Sequence, residues 1–208
     1  MMIQQIVTGR LDCNNYLLIN KERGEGLLID CGDDAKKLMG AIDAAKIKLK
    51  GILLTHGHAD HIAAVDQLAS YFGCPVYIHR DDMILLKKAL YNLSLQVLGK
   101  GMTIQTEVLP LGHDDQLDLA GFCVQLIHTP GHTPGSACFL TENVLFTGDT
   151  LFEGSIGGDF PPFGNLEQEI SSIRERLFGL KQNYPCYPGH GNKTSLDFEK
   201  QNNMYCRI

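Results

Sequence analysis

Ile52-Leu53-Leu54-Thr55-His56-Gly57-His58-Ala59-Asp60-His61 decides how this 208-residue chain is read. Three aliphatic residues make a short buried strand, and directly after it come three imidazoles and one carboxylate. Histidine offers a neutral nitrogen and aspartate an oxygen, so the run can fill much of a divalent metal's coordination shell without cysteine. The histidines alternate with other residues, which separates the run from a homopolymer tag or a low-complexity tract. Downstream, Ile62, Val65, Leu68 and Phe72 recur at helical spacing. The cluster therefore bridges a strand end and a helix that begins near Asp60.

The same grammar returns three times: an aliphatic strand-like run, a glycine turn, then one side chain able to bind metal. It places His132 in Thr129-Pro130-Gly131-His132-Thr133, Asp149 in Phe146-Thr147-Gly148-Asp149 and His190 in Tyr187-Pro188-Gly189-His190-Gly191. Glycine before the ligand lets the backbone turn sharply. If the strands run in register, all four turns emerge at one sheet edge, where α/β proteins commonly place active sites. His56, His58, Asp60, His61, His132, Asp149 and His190 are more donors than one tetrahedral ion uses. Two ions bridged by one carboxylate are the economical reading.

Residues 5–7, 15–19, 26–30, 52–54, 75–79, 122–128, 137–140 and 143–146 read as strands. Residues 34–46, 60–72, 81–95, 166–178 and 195–203 read as helices, and 96–116 follow neither period clearly. Strands and helices thus fall into two similar blocks, before and after residue 110, which suggests two sheets face to face with helices outside. The length suits one domain spanning 1–208. With 44% hydrophobic and 20% charged residues, the composition is that of a soluble globular protein. The formal charge of −6, with no run of lysine or arginine, argues against a nucleic-acid partner. No window is long and apolar enough to span a bilayer, and the N-terminus has no basic-then-apolar signal. No membrane partner and a cytoplasmic location are the expectation.

Seven cysteines without a CxxC pair read as reduced thiols in the core. Cys186 is the one that falls near a candidate ligand, four positions before His190. Of the remaining histidines, His128 reads as a packing residue, His113 as solvated, and His79 as a strand-end residue within reach of the cleft.

In order and spacing, several segments together resemble the metallo-β-lactamase-fold hydrolases, and among them the short glyoxalase II-like (hydroxyacylglutathione hydrolase-like) proteins. These are Leu28-Ile29-Asp30 with Gly32, the HxHxDH cluster at 56–61, Thr129-Pro130-Gly131-His132-Thr133-Pro134-Gly135-Ser136, Gly148-Asp149-Thr150-Leu151-Phe152 and Pro188-Gly189-His190-Gly191. The resemblance implies an α/β (α+β) fold, a four-layer αββα sandwich. It implies that His56, His58 and His132 hold one metal, Asp60, His61 and His190 the other, and that Asp149 bridges them. Asp30 supports the metal-binding loop in that pattern.

The activity so implied is hydrolysis of a small thioester such as a hydroxyacylglutathione, by attack of a hydroxide held between two divalent ions. Asp60 binds metal and orients the nucleophile, and a thiolate leaves without help from a further acid. Zinc is the first candidate, and iron or manganese suits the same donors. Dizinc β-lactamases lack the bridging aspartate that Asp149 resembles, which sets antibiotic hydrolysis lower. Two alternatives stay open: hydrolysis of another ester or a lactone, and a mononuclear iron persulfide dioxygenase, whose relatives share much of the HxHxDH and GHT pattern. The segment Gly154-Ser155-Ile156-Gly157-Gly158-Asp159-Phe160 resembles the short bacterial branch, which often carries a Gly-Arg pair where this chain has Gly157-Gly158. Ser155 and Phe160 are the expected substrate-lining residues. Full-length glyoxalase II enzymes add a helical C-terminal region that supplies much of the glutathione site, whereas here 18 residues follow His190.

Overall fold

Alternating side chains along the aliphatic strands give each of two sheets a helix-facing and a sheet-facing side. The computed structural model describes residues 1–208. Strands β1 (Met2–Thr8), β2 (Cys13–Asn20), β3 (Glu25–Ile29), β4 (Lys48–Leu54), β5 (Val76–His79) and β6 (Val108–Leu111) form a six-stranded sheet in sequence order. The chain continues through β7 (Gln116–Leu119), β8 (Phe122–His128), β9 (Ala137–Thr141) and β10 (Val144–Gly148). A short ribbon of β11 (Leu151–Phe152) and β12 (Ser155–Ile156) precedes β13 (Pro185–Pro188) and β14 (Thr194–Ser195). The second six-stranded sheet runs β14-β13-β10-β9-β8-β7.

Tyr16, Leu18, Leu27, Ile29 and Leu53 from the first sheet meet Phe122, Val124, Leu126, Phe139 and Phe146 from the second in one buried cluster. Their neighbours Leu17, Ile19, Leu28, Ile52 and Leu54 point the other way. They pack on the helical layer made by α1 (Ala35–Ala45), α2 (Ala59–Ile62) and α3 (Val65–Phe72), through Leu38, Ile42, Ile62, Val65 and Leu68. Two short helices follow, α4 (Met83–Lys87) and α5 (Ser94–Leu98). Behind the second sheet, Ile127, Cys138 and Leu145 pack against the layer of α6 (Leu166–Ser172) and α7 (Leu196–Asn202), with Ile173, Leu177 and Leu196 buried there. The layers are helix, sheet, sheet, helix. Each fully buried Leu, Ile or Phe contributes about 1.5–3 kcal/mol, so the three apolar layers hold the sandwich.

Strand direction places the chemistry. β3, β4, β5 and β6 are parallel, as are β10 and β13. β9 is antiparallel to both β8 and β10, so β8 shares their direction. The C-terminal ends of β3, β4, β8, β10 and β13 accordingly lead into Asp30, the 56–61 cluster, His132, Asp149 and His190. Ala137 N donates to Thr55 O at 2.9 Å, which ties the two sheets together beside that edge.

Four local readings change. The helix expected over 81–95 is instead a turn at Arg80–Asp82, α4 and the later α5. Lys88 is extended and Leu93 takes φ 59°, a left-handed conformation that no residue type there announces. The helix from 60 is broken between Ile62 and Val65, and that over 166–178 is regular only to Ser172, then widens through Leu177. The patternless region hides β6, where Pro110 obscured an edge strand of a kind that tolerates proline. All seven cysteines are unpaired, and Cys186 packs with Leu145 and Leu196 in the outer core, with Sγ directed to Tyr184 O. No helix is long and apolar enough to cross a membrane.

Candidate metal centre

The strand-end loops bring seven side chains together in two groups. His56, His58 and His132 present nitrogens within 4.8 Å of one another, and so do the donor atoms of Asp60, His61 and His190. His58 Nδ1 lies 2.9 Å from His132 Nε2, and His61 Nε2 lies 3.2 Å from His190 Nε2. Asp149 stands between the groups. Its Oδ2 is 3.7 Å from His132 Nε2 and 3.5 Å from His190 Nε2, while its Oδ1 is 3.3 Å from His61 Nε2. Asp60 Oδ2 is 3.3 Å from His190 Nε2.

The outward nitrogens of these rings are held from behind. His61 Nδ1 donates to Asp30 Oδ2 at 2.9 Å, and the same carboxylate accepts from Thr55 N and Thr55 Oγ1. His132 Nδ1 donates to Gly158 O and His190 Nδ1 to Leu11 O, both at 2.8 Å. Each bond fixes a tautomer and leaves the lone pair of the other nitrogen facing the cluster. Asp30 itself takes φ 59° to reach His61 from the end of β3. Gly189 is required by close approach: a β-carbon there would collide with Asp149 Oδ1 and His61 Cε1.

Electrostatics match a ligand set. Burial lowers the His56, His58 and His132 rings, taking His58 down to about 3, so all three are neutral at pH 7 with free lone pairs. Burial alone would raise Asp149, but His61 and His190 beside it hold the carboxyl well below the usual range. His56 Nε2 and Asp149 Oδ1 are buried with no hydrogen-bond partner. An unmade bond of that kind costs about 1–3 kcal/mol, so the two atoms point to a ligand that this donor set holds. Neutral imidazoles and carboxylates in two groups fit divalent metal ions.

A cavity of about 950 Å³ opens over the cluster. Leu11, Leu93, Val97, Phe152, Phe160 and Pro161 form its apolar wall, with Arg10 and Gln96 as polar members. Phe160 lines it, whereas Ser155 does not. The tight β11–β12 ribbon turns Ser155 aside, and its Oγ donates to Ile156 O at 3.4 Å.

His79 and His128 stack at 3.8 Å with 12° between the rings, and Asp81 lies beside both. Stacked rings send their in-plane lone pairs side by side, and His128 Nε2 is committed to Pro134 O at 2.8 Å. The trio is therefore a packing arrangement, and His79 touches none of the seven clustered residues. His113 is exposed, its Nδ1 accepting from His128 N.

Two buried carboxyls carried no sequence signal. Asp82 accepts from Gly57 N, Thr133 Oγ1 and Gly135 N at 2.8, 2.7 and 2.6 Å, joining the loop of His56 and His58 to that of His132. Glu169 accepts from Gly157 N at 2.9 Å, while its Oε2 is unpartnered.

An αββα sandwich with a His/Asp cluster at one sheet edge defines a hydrolase-like enzyme that binds divalent metal. The sequence model of the Metallo-beta-lactamase superfamily matches residues 8–190, and the chain belongs to that superfamily. Hydroxyacylglutathione hydrolase GloC of Haemophilus influenzae is 36% identical over 92% of this chain and 92% of its own. The crystal structure described as BLEG-1 B3 metallo-beta-lactamase superposes with a TM-score of 0.92 at 33% identity, covering 99% of each chain. TTHA1623, solved in a di-iron-bound form, gives 0.85 at 32% identity, covering 97% of this chain and 99% of that one.

Proposed function

We propose that this protein is a dinuclear metal-dependent hydrolase of a small thioester, of the kind named by the hydroxyacylglutathione hydrolase relative. The observation that carries the reading is the position of Asp149, one carboxylate facing two separate triads of donors. His56, His58 and His132 would hold one ion and Asp60, His61 and His190 the other, with Asp149 facing both groups. When bound, such a pair lowers the pKa of shared water towards about 7 and polarises a carbonyl oxygen. Zinc is the proposed metal, with iron and manganese compatible with the same donors.

The chain's own residues supply the rest. Asp60, at the cavity face of its triad, accepts a hydrogen bond from the attacking water and orients it. The His56, His58 and His132 imidazoles stay neutral because they are buried, and Asp30, Gly158 O and Leu11 O orient the rings of His61, His132 and His190. The apolar wall excludes bulk water from the reacting carbonyl. Apart from the clustered donors, the cavity lining offers only Arg10 as an ionisable group. A thiolate leaves without a proton and an amine needs one, so the lining favours a thioester over a β-lactam amide.

β-Lactam hydrolysis is nevertheless a second reading, favoured by the 33% identity to the protein described as a B3 metallo-beta-lactamase. The experiment is to load the protein with zinc, iron or manganese and follow thiol release from S-D-lactoylglutathione, with a β-lactam and a simple lactone alongside. Oxygen uptake with a glutathione persulfide is measured on the same samples. Thioester turnover supports the proposal. β-Lactam turnover alone moves the function to the second reading, and oxygen uptake with a single bound iron moves it to a dioxygenase.

A further inference from the structure

Arg10 lies in the turn between β1 and β2 and lines the same cavity as His58, Asp60, His132, Asp149 and His190. Arg10 is exposed at the cavity, and its guanidinium takes part in none of the chain's side-chain hydrogen bonds or ion pairs. The turn that carries it is not loose. Leu11 O, one residue on, accepts from His190 Nδ1 at 2.8 Å, and Asn14 N donates to Gly189 O at 2.7 Å. Asn14 Nδ2 donates to Pro188 O and Gly191 O, both at 3.0 Å. A free cation is thus mounted on a base bolted to the His190 loop. The facing segment Gly154-Ser155-Ile156-Gly157-Gly158-Asp159-Phe160 has no basic side chain. Asp60, Asp149 and the imidazoles of the lining belong to the metal ligand set, so Arg10 is the charged group left over for a substrate.

We propose that Arg10 is the anion-recognition residue of this site, and that the substrate is a thioester carrying a carboxylate on the arm distal to the reacting carbonyl. The inference rests on the hydrolase reading for where that carbonyl lies. The guanidinium offers a planar fork that pairs with a carboxylate through two parallel bonds. Leu11, Leu93, Val97 and Phe160 receive the apolar part between the two ends. About 950 Å³ is at the upper end of small-molecule cavities and has room for a tripeptide-sized thiol. On a chain of net charge −6, a lone cation at the cavity also offsets the general repulsion of an anionic substrate.

The test compares the wild type with Arg10→Ala and Arg10→Lys, all zinc-loaded, on S-D-lactoylglutathione and on the neutral S-lactoyl-N-acetylcysteamine. Equilibrium binding of S-methylglutathione, which has the carboxylates and no hydrolysable bond, is measured by calorimetry on the same proteins. Loss of a charged hydrogen-bonded pair predicts a drop of about ten- to a hundred-fold in kcat/KM for the glutathione thioester and in S-methylglutathione affinity. The neutral thioester is expected to change less than about two-fold, and Arg10→Lys to restore part of the loss as a point charge. Equal losses on both thioesters, or none on either, overturn the inference while leaving the hydrolase standing. Arg10-dependent binding of S-methylglutathione without turnover of either thioester leaves the anion subsite and removes the thioesterase reading. Neither binding nor turnover removes both.

Discussion

Asp82 lies at the centre of the ligand cradle without touching a proposed metal ligand. Its three accepted bonds set the spacing between Gly57 and the Thr133–Gly135 turn, and so between His58 and His132. Burial pushes its carboxyl up to about 6, although three donors face it. Asp82→Ala is expected to lower metal affinity about ten- to a hundred-fold, as for other residues that orient ligands from behind. Competition with a chromophoric chelator measures this, and unchanged affinity in a folded variant would contradict it. Glu169 gives a pH prediction. Burial raises its carboxyl from 4.5 to about 9, so the folded protein keeps a proton that the unfolded chain releases. Its contribution to stability is complete below pH 4.5 and is lost as pH rises towards 9, by up to about 1.4 kcal/mol per unit. Urea unfolding of metal-free protein between pH 5 and 9 should show that decline, and Glu169→Gln should flatten it. An identical slope in the variant would mean that another group carries the titration.

At the scale of elements, the β1–β2 hairpin works as a bracket for the far side of the site. Asn14 is buried and its amide spans two carbonyls of the His190 loop. Asn14→Ala should leave those carbonyls short of a donor and cost about 1–3 kcal/mol in urea unfolding, with wild-type secondary structure. A loss below about 0.5 kcal/mol, the range of ordinary surface substitutions, would show that the bracket is dispensable. The strands were legible in the sequence where aliphatic residues alternate or run together, as in β2, β4, β8 and β10. They were illegible where proline interrupts them: β6 contains Pro110, and β13 begins and ends on proline. β11, β12 and β14 have two residues each, too short for any period to register. The segment after β5 misread as one helix because Leu85 and Leu86 fit its stripe. That helix ends at the extended Lys88, and the turn before α5 is held by distant partners: Asn92 O accepts from Ala59 N, and Asn92 Nδ2 donates to Leu85 O and Met102 O.

For the whole molecule, the two sheets are halves of one device. The first delivers His56, His58, Asp60 and His61, the second His132, Asp149 and His190, and the Ala137–Thr55 bond holds the halves in register. The seven residues that the structure clusters could be named from sequence because each follows a strand through a glycine turn or lies in the compact 56–61 run. Asp82, Glu169 and Arg10 could not, since their roles arise only when distant loops meet. Ser155 was misplaced for the same reason, a two-residue ribbon turning it from the cavity. The central claim is that these halves build one two-ion centre sharing Asp149. Calorimetric titration of chelator-treated protein with zinc tests it most directly. Two ions per chain are expected in the wild type and one in His190→Ala; a single ion in both proteins would contradict a shared two-ion centre.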